Sequence, residues 1–201
     1  MTPHLDQTDP TAAPPAHPQA EFALTVEDGL LLILRTPHLS ARMFALQSAD
    51  QARLAHWEQW AGEEMSETSV RDSDAATLAG FAAGKVVPTC ISWQGEIVGA
   101  ASARLDTWSR SAELGYFIAA DHEGRGLVTR SVRGLIDYVA AVHAVQRCYI
   151  QAAVNNTRSL AVAERLGFQQ EGVLRSAWSV GDQPRVDAAI YGLPMAERPW
   201  L

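Results

Sequence analysis

Gly124-Arg125-Gly126 follows a strand-like run, Glu113–Ala119, and opens directly onto helically spaced apolar residues from Leu127 onward. Backbone N–H groups at a helix start have no intrahelical partner, and the helix macrodipole adds partial positive charge there. Glycines let the main chain approach a ligand closely. The loop and the turn Leu127-Val128-Thr129 therefore form a cradle for phosphate or pyrophosphate, with Arg125 and Arg130 adding charge complementarity. The spacing is not G-x-x-x-x-G-K-[ST], and the third glycine of a dinucleotide fingerprint is missing. An ordinary strand-to-helix turn has the same composition, so the surrounding elements must decide.

Other residues with chemical potential are scattered along the chain. Asn156-x-x-Ser159 opens a helix and puts an N-cap side chain beside a hydroxyl. Glu113 lies on the strand that enters the glycine loop. His38 and His122 fall in loops, where imidazoles are usually solvated. Trp57, Trp60, Trp93 and Trp178 have the bulk to shape a pocket, although Trp57 and Trp60 at helical spacing also suit plain packing. The acidic run Glu63, Glu64, Glu67 reads as a solvated helix end, or as a lining that favours a cationic amine.

These residues need elements to hold them. A first strand is expected over residues 29–35, closed by Thr36-Pro37, then a helix capped by Ser40. A second helix carries Leu54, Trp57 and Trp60, and a third runs from Asp74 to Ala83. The turn Gln94-Gly95-Glu96 joins strands 86–93 and 97–105. Val128, Val132, Leu135, Ile136, Val139 and Val142 mark an amphipathic helix. A strand over 147–154, a helix over 157–166 ending at Gly167, and a strand pair over 168–180 and 185–193 complete a mixed α/β layout around one sheet.

The chain has 201 residues, with 16 basic against 23 acidic side chains and a net charge of −7. That length suits one domain with a sizeable core. Five acids and no Lys or Arg fall in residues 1–28, so the rest carries 18 acidic against 16 basic residues. Residues 1–28 are expected to be a flexible, Pro-rich acidic tail, and 29–201 a single domain. The acidity argues against a nucleic-acid binder with a broad basic face. Two distant cysteines, no secretory leader and no long apolar run point to a cytoplasmic chain with no membrane segment and no metal site.

In order, Leu114-Gly-Tyr-Phe-Ile118, Gly124-Arg-Gly126, Asn156-x-x-Ser159, Leu166-Gly-Phe-x-x-Glu171-Gly172, Arg175 and Arg185-x-Asp187 resemble the GNAT superfamily of acyl-CoA N-acyltransferases, and within it the RimJ/RimL branch. The resemblance covers about residues 29–195. It implies a central mixed, mostly antiparallel sheet with a splayed parallel strand pair and flanking helices. Acetyl-CoA is the implied cosubstrate. Phe117 and Ile118 would pair with its pantetheine arm, and Gly124, Arg125, Gly126, Leu127, Val128 and Thr129 would hold its pyrophosphate. Asn156 would also face it.

The same resemblance makes Ser159 the donor to the leaving thiolate. RimL-like enzymes place a Glu base where this chain has Trp178, so Glu113 becomes the substitute base, with Trp178 and Trp57 shaping the acceptor pocket. An α-amine, with a pKa of about 7.7–8.0, needs only a modest base, whereas a lysine amine near 10.4 is almost wholly protonated. The implied partner is an amine substrate, with a protein N-terminal α-amine as the leading type, acted on by a monomer or homodimer. The alternatives are a small-molecule amine, a larger acyl group, or a CoA-binding module without catalysis.

Overall fold

The computed structural model describes residues 22–62, 64–179 and 184–200. The described strands are β1 (Ala23–Glu27), β2 (Leu30–Leu34), β3 (Val86–Trp93), β4 (Glu96–Asp106), β5 (Ser111–Ile118), β6 (Arg147–Ala153), β7 (Gln169–Trp178) and β8 (Val186–Pro194). They form one sheet in the order β1-β2-β3-β4-β5-β6-β8-β7. Every neighbouring pair is antiparallel except β5 and β6. The helices are α1 (Ser40–Ala49), α2 (Gln51–Leu54), α3 (Gln59–Gly62), α4 (Glu67–Ala82), α5 (Leu127–His143) and α6 (Thr157–Arg165).

Strand alternation sends successive side chains to opposite faces, and the core divides accordingly. Leu30 and Leu32 join Val87, Ile91 and the α5 residues Val132, Leu135, Ile136 and Val139 on one face. Ile33, Cys90 and Ala100 meet Met43 of α1 and Val70 of α4 on the other. The α5 stripe is the one its spacing predicts. Burying each such aliphatic side chain contributes about 1.5–3 kcal/mol, so Ile136→Ala would cost about 2–5 kcal/mol.

The fold begins earlier than expected. β1 pairs with β2 through the turn at Gly29 (φ 73°), so the boundary at residue 29 is corrected: residues 23–27 belong to the sheet. Leu24 and Val26 alternate inward and pack on the α5 core. Gly134 of α5 admits Val26, since a Cβ there would meet its Cγ2 at 3.0 Å. The acidic count of this segment concealed a two-residue apolar alternation. The remainder of the expected tail, residues 1–21, lies outside the described residues, as do Glu63 and most of the expected turn at 181–184.

Three helix expectations also change. Ser40 is the first residue of α1 rather than its cap, and its hydroxyl donates to buried Asp74 at 2.6 Å. The expected helix through Leu54, Trp57 and Trp60 breaks between α2 and α3. The helix expected over 74–83 starts at Glu67, where Ser66 and Ser69 cap each other, Ser66 Oγ accepting from Ser69 N at 3.1 Å.

Candidate active site

β5 and β6 pair only at Ser111–Arg147, Ala112–Cys148 and Glu113–Tyr149. Beyond these residues both strands continue, to Ile118 and Ala153, without pairing, so the sheet opens into a cleft. Ala119 N–H donates to Val98 O at 2.8 Å, while Gln146 N–H reaches Arg110 O on the opposite side at 2.8 Å. Main-chain direction alternates along a strand, so odd-numbered residues of β5 bond to β4 and even-numbered ones face the cleft. Of the two residues expected to pair with a pantetheine arm, Ile118 turns its main chain to the gap, its carbonyl already accepting from Arg53, and the main chain of Phe117 is turned to Ala100 of β4. Tyr116 joins Ile118 on the open edge.

The glycine loop closes one end of the cleft. Gly124 (φ 74°) and Gly126 (φ 71°) are both left-handed, and Gly126 caps α5. Arg130 N–H is the first to bond back, to Gly126 O at 3.1 Å, leaving the amides of Leu127, Val128 and Thr129 without intrahelical acceptors. A Cβ at Gly124 would meet nothing within 4 Å, so the approach is open. Leu127 and Val128 point their side chains into the core, so the amide is what each presents.

The two arginines expected to meet phosphate also hold the loop. Arg130 donates to Gly126 O at 3.4 Å, to Arg125 O at 2.9 Å and to Glu27 Oε1 at 2.5 Å, and lies over the Trp93 ring. Arg125 donates to Asp121 O at 3.1 Å. By engaging carbonyls they fix the loop with its amides free.

Charged residues also span the cleft mouth. Arg53 of α2 donates to Ile118 O at 2.6 Å and pairs with Asp50 and with Glu123 (2.9 Å). The hydrogen bond from Arg53 holds the Asp50 carboxyl below the ordinary aspartate range. Arg158 of α6 takes the other oxygen of Glu123 at 2.5 Å. Glu123 thus ties the loop after β5 to the helix after β6.

Inside, one cavity of about 610 Å³ runs from the cleft to the helices of the opposite face. Asn156, Ser159, Glu113, Phe117 and Trp178 all line it. Asn156 caps α6, its side chain accepting from Ser159 N at 3.2 Å. Tyr116 donates to Ser159 O at 2.9 Å and lies 3.1 Å from Ser159 Oγ. Burial pushes the Tyr116 hydroxyl up to about 12, so it keeps its proton at neutral pH. Glu113 is tied to Arg104 at 2.5 Å and accepts from the Tyr149 hydroxyl at 3.2 Å.

The aromatic residues divide. Trp60 lines the cavity 5.9 Å from the Phe117 ring, whereas Trp93 belongs to the α5 core. Trp57 lines an adjoining cavity of about 510 Å³, and Trp178 borders both, its indole N–H donating to Trp57 O at 3.0 Å. A bulge in β7 sets Trp178: Ser176 (φ 51°) donates its N–H to Asp187 at 2.8 Å, and Arg185 donates to Ser176 O at 2.6 Å. The Arg185-x-Asp187 motif is thereby structural. Neither His38 nor His122 lines the main cavity.

Glu58 and Arg35 also line the cavity, Glu58 without any sequence signal for it. Arg35 pairs with buried Asp74 at 2.5 Å and so joins β2 to α4. Glu64, at the cavity rim, is the described member of the acidic run that reaches the site. Among the described residues, no group of three or more His, Cys, Asp and Glu is placed to hold a metal ion.

A cleft between two unpaired strand edges, ending at bare helix amides, suits a ligand with an amide-bearing arm and a pyrophosphate. The fold and this cleft define an acyl-CoA-dependent transferase. A profile of the GNAT acetyltransferase domain matches residues 32–169. The putative ribosomal N-acetyltransferase YdaF of Bacillus subtilis is 32% identical over 187 residues, 89% of this chain and 97% of its own. The chain belongs to the GNAT acetyltransferase family and is an acetyl-CoA-dependent N-acetyltransferase of the RimJ/RimL type. RimJ of Mycobacterium smegmatis, solved with CoA-disulfide, is 26% identical with a TM-score of 0.79, covering 85% of this chain and 84% of that one. A RimL L7/L12 α-N-acetyltransferase bound to CoA shares the fold, with a TM-score of 0.83 at 22% identity over 86% of this chain and 98% of its own.

Proposed function

We propose that the acceptor is the α-amine of a protein or peptide N-terminus. The cavity carries this reading: it continues from the cleft past Ser159 to an acceptor side bordered by Trp60, Trp178, Glu58 and Glu64. Its size suits the first residues of a chain, and its carboxylates suit a terminal ammonium. The relatives named for ribosomal-protein acetylation support it.

Acetyl-CoA supplies an activated acyl thioester. Ile118 and Tyr116 offer main-chain partners to its arm, and residues 124–129 offer amides to its pyrophosphate. Ser159, which lines the cavity, would donate to the leaving sulfur, with Asn156 fixing the helix turn that carries it. Buried, unpaired Cys90 and Cys148 accord with work in the cytoplasm.

The same carboxylates also suit a polyamine, and relatives named spermidine N(1)-acetyltransferase match about a third of the chain. Incubation with acetyl-CoA and a panel of N-terminal peptides and small amines, read by thiol release and by mass of the product, separates the two. Acetylation of peptide α-amines is the expected result. Turnover on small amines alone overturns it.

A further inference from the structure

Glu58 lies in the break between α2 and α3, where no motif marks it. Its Oε2 accepts from Trp60 Nε1 at 3.2 Å, and among the described residues it has no ion-pair partner. Glu113, the carboxylate that sequence considerations favour, is engaged by both Arg104 and Tyr149. Trp60 packs toward Phe117, the neighbour of Tyr116, so Glu58 and Ser159 border one cavity from opposite elements.

We propose that Glu58 is the general base that deprotonates the acceptor amine. The proposal rests on amine acetylation at this site and not on which amine is accepted. The acceptor ammonium gives one proton to the Glu58 carboxylate. The neutral nitrogen then forms its bond to the thioester carbonyl carbon, and the carbon–sulfur bond breaks. The second nitrogen proton ends on the departing sulfur, toward which Ser159 donates, and Glu58 returns its proton to water.

The environment of Glu58 fits this task. Burial raises its carboxyl above the ordinary glutamate range, against smaller opposing effects of the Trp60 N–H and the Arg104 charge. A base gains efficiency as its pKa approaches the working pH. The other ionisable groups around the cavity are Arg35, held by Asp74; Arg104 and Glu113, held by each other; Tyr116, which keeps its proton; and Glu64 at the exposed rim.

The test compares Glu58→Gln and Glu58→Asp with wild type, using an acceptor that wild type acetylates, from about pH 6 to about pH 10. Glu58→Gln should lose on the order of a hundredfold in kcat/KM for the acceptor near neutral pH and regain activity as the amine deprotonates unaided. Glu58→Asp should retain the acidic limb of the profile at a lower rate. Calorimetric CoA affinity should stay within about twofold of wild type in both, which establishes folding. Retention of activity in Glu58→Gln within about threefold overturns the proposal, as does a rise in KM alone with the acidic limb unchanged. If wild type acetylates nothing on the panel, the acceptor assignment fails by itself. The carboxyl resonance of Glu58, identified by its loss in Glu58→Gln, then decides: titration in the ordinary glutamate range overturns the base.

Discussion

Tyr116 and Ser159 meet across the open cleft: the phenol of β5 donates to the Ser159 carbonyl at 2.9 Å and sits 3.1 Å from its hydroxyl on α6. The two strands have stopped pairing at this level, so the contact is a rung replacing the missing ladder. The Tyr116 O–H reaches both the Ser159 carbonyl and Ser159 Oγ, which leaves the serine's own proton for a leaving sulfur. That fixes the serine rotamer before any ligand arrives.

Tyr116→Phe should therefore lower kcat roughly tenfold, the size of one hydrogen bond of about 1.4 kcal/mol, with acetyl-CoA affinity little changed. Ser159→Ala should also lower kcat, and the double variant should lose less than the product of the two. Steady-state kinetics on the three variants check this. Multiplicative losses would separate the two residues.

Gly126 at φ 71° takes a conformation that costs an L residue about 1–2 kcal/mol, so Gly126→Ala should lower stability by that amount in a denaturant titration. Gly126→Glu adds a carboxylate in front of the free amides and should abolish CoA binding by calorimetry. Unaltered binding in the Glu variant would remove the loop from the cofactor site.

Asp187→Ala removes the acceptor for Ser176 N–H and loosens the bulge that carries Trp178. The acceptor KM should rise severalfold while the acetyl-CoA KM stays the same. A change confined to acetyl-CoA would place Trp178 on the other side of the reaction.

Glu123 neutralises both Arg53 and Arg158 beside an anion site. Glu123→Gln leaves two arginines with less opposing charge, so CoA should bind severalfold more tightly at low salt, with a steeper salt dependence. Weaker binding would show that Glu123 holds the mouth in its receptive shape.

Much of the site lies within short sequence windows, and those parts were legible. The glycine loop and the Asn156 cap each depend on residues only a few positions apart. Glu58 was not legible, because its burial arises only when the broken helix packs against a strand some sixty residues away. The Tyr116–Ser159 contact fails the same way, across a separation of 43. Charge points Arg125 and Arg130 to phosphate, and the resemblance adds to this for Arg125, but neither reveals that nearby carbonyls hold both side chains. β1 was hidden because net charge outweighed the alternation of Leu24 and Val26.

The Glu27–Arg130 pair links the outermost strand to the anion cradle. An edge strand frays more readily than the centre of a sheet, and here fraying also removes a support from the Arg130 guanidinium that holds the loop. Any ligand that needs the loop in place must then oppose that fraying by its own binding free energy. Acetyl-CoA should slow amide exchange in residues 23–27, and a chain shortened to begin at Gly29 should bind it more weakly than one beginning at Glu21. The sheet margin and the cofactor pocket thus act as one thermodynamic unit.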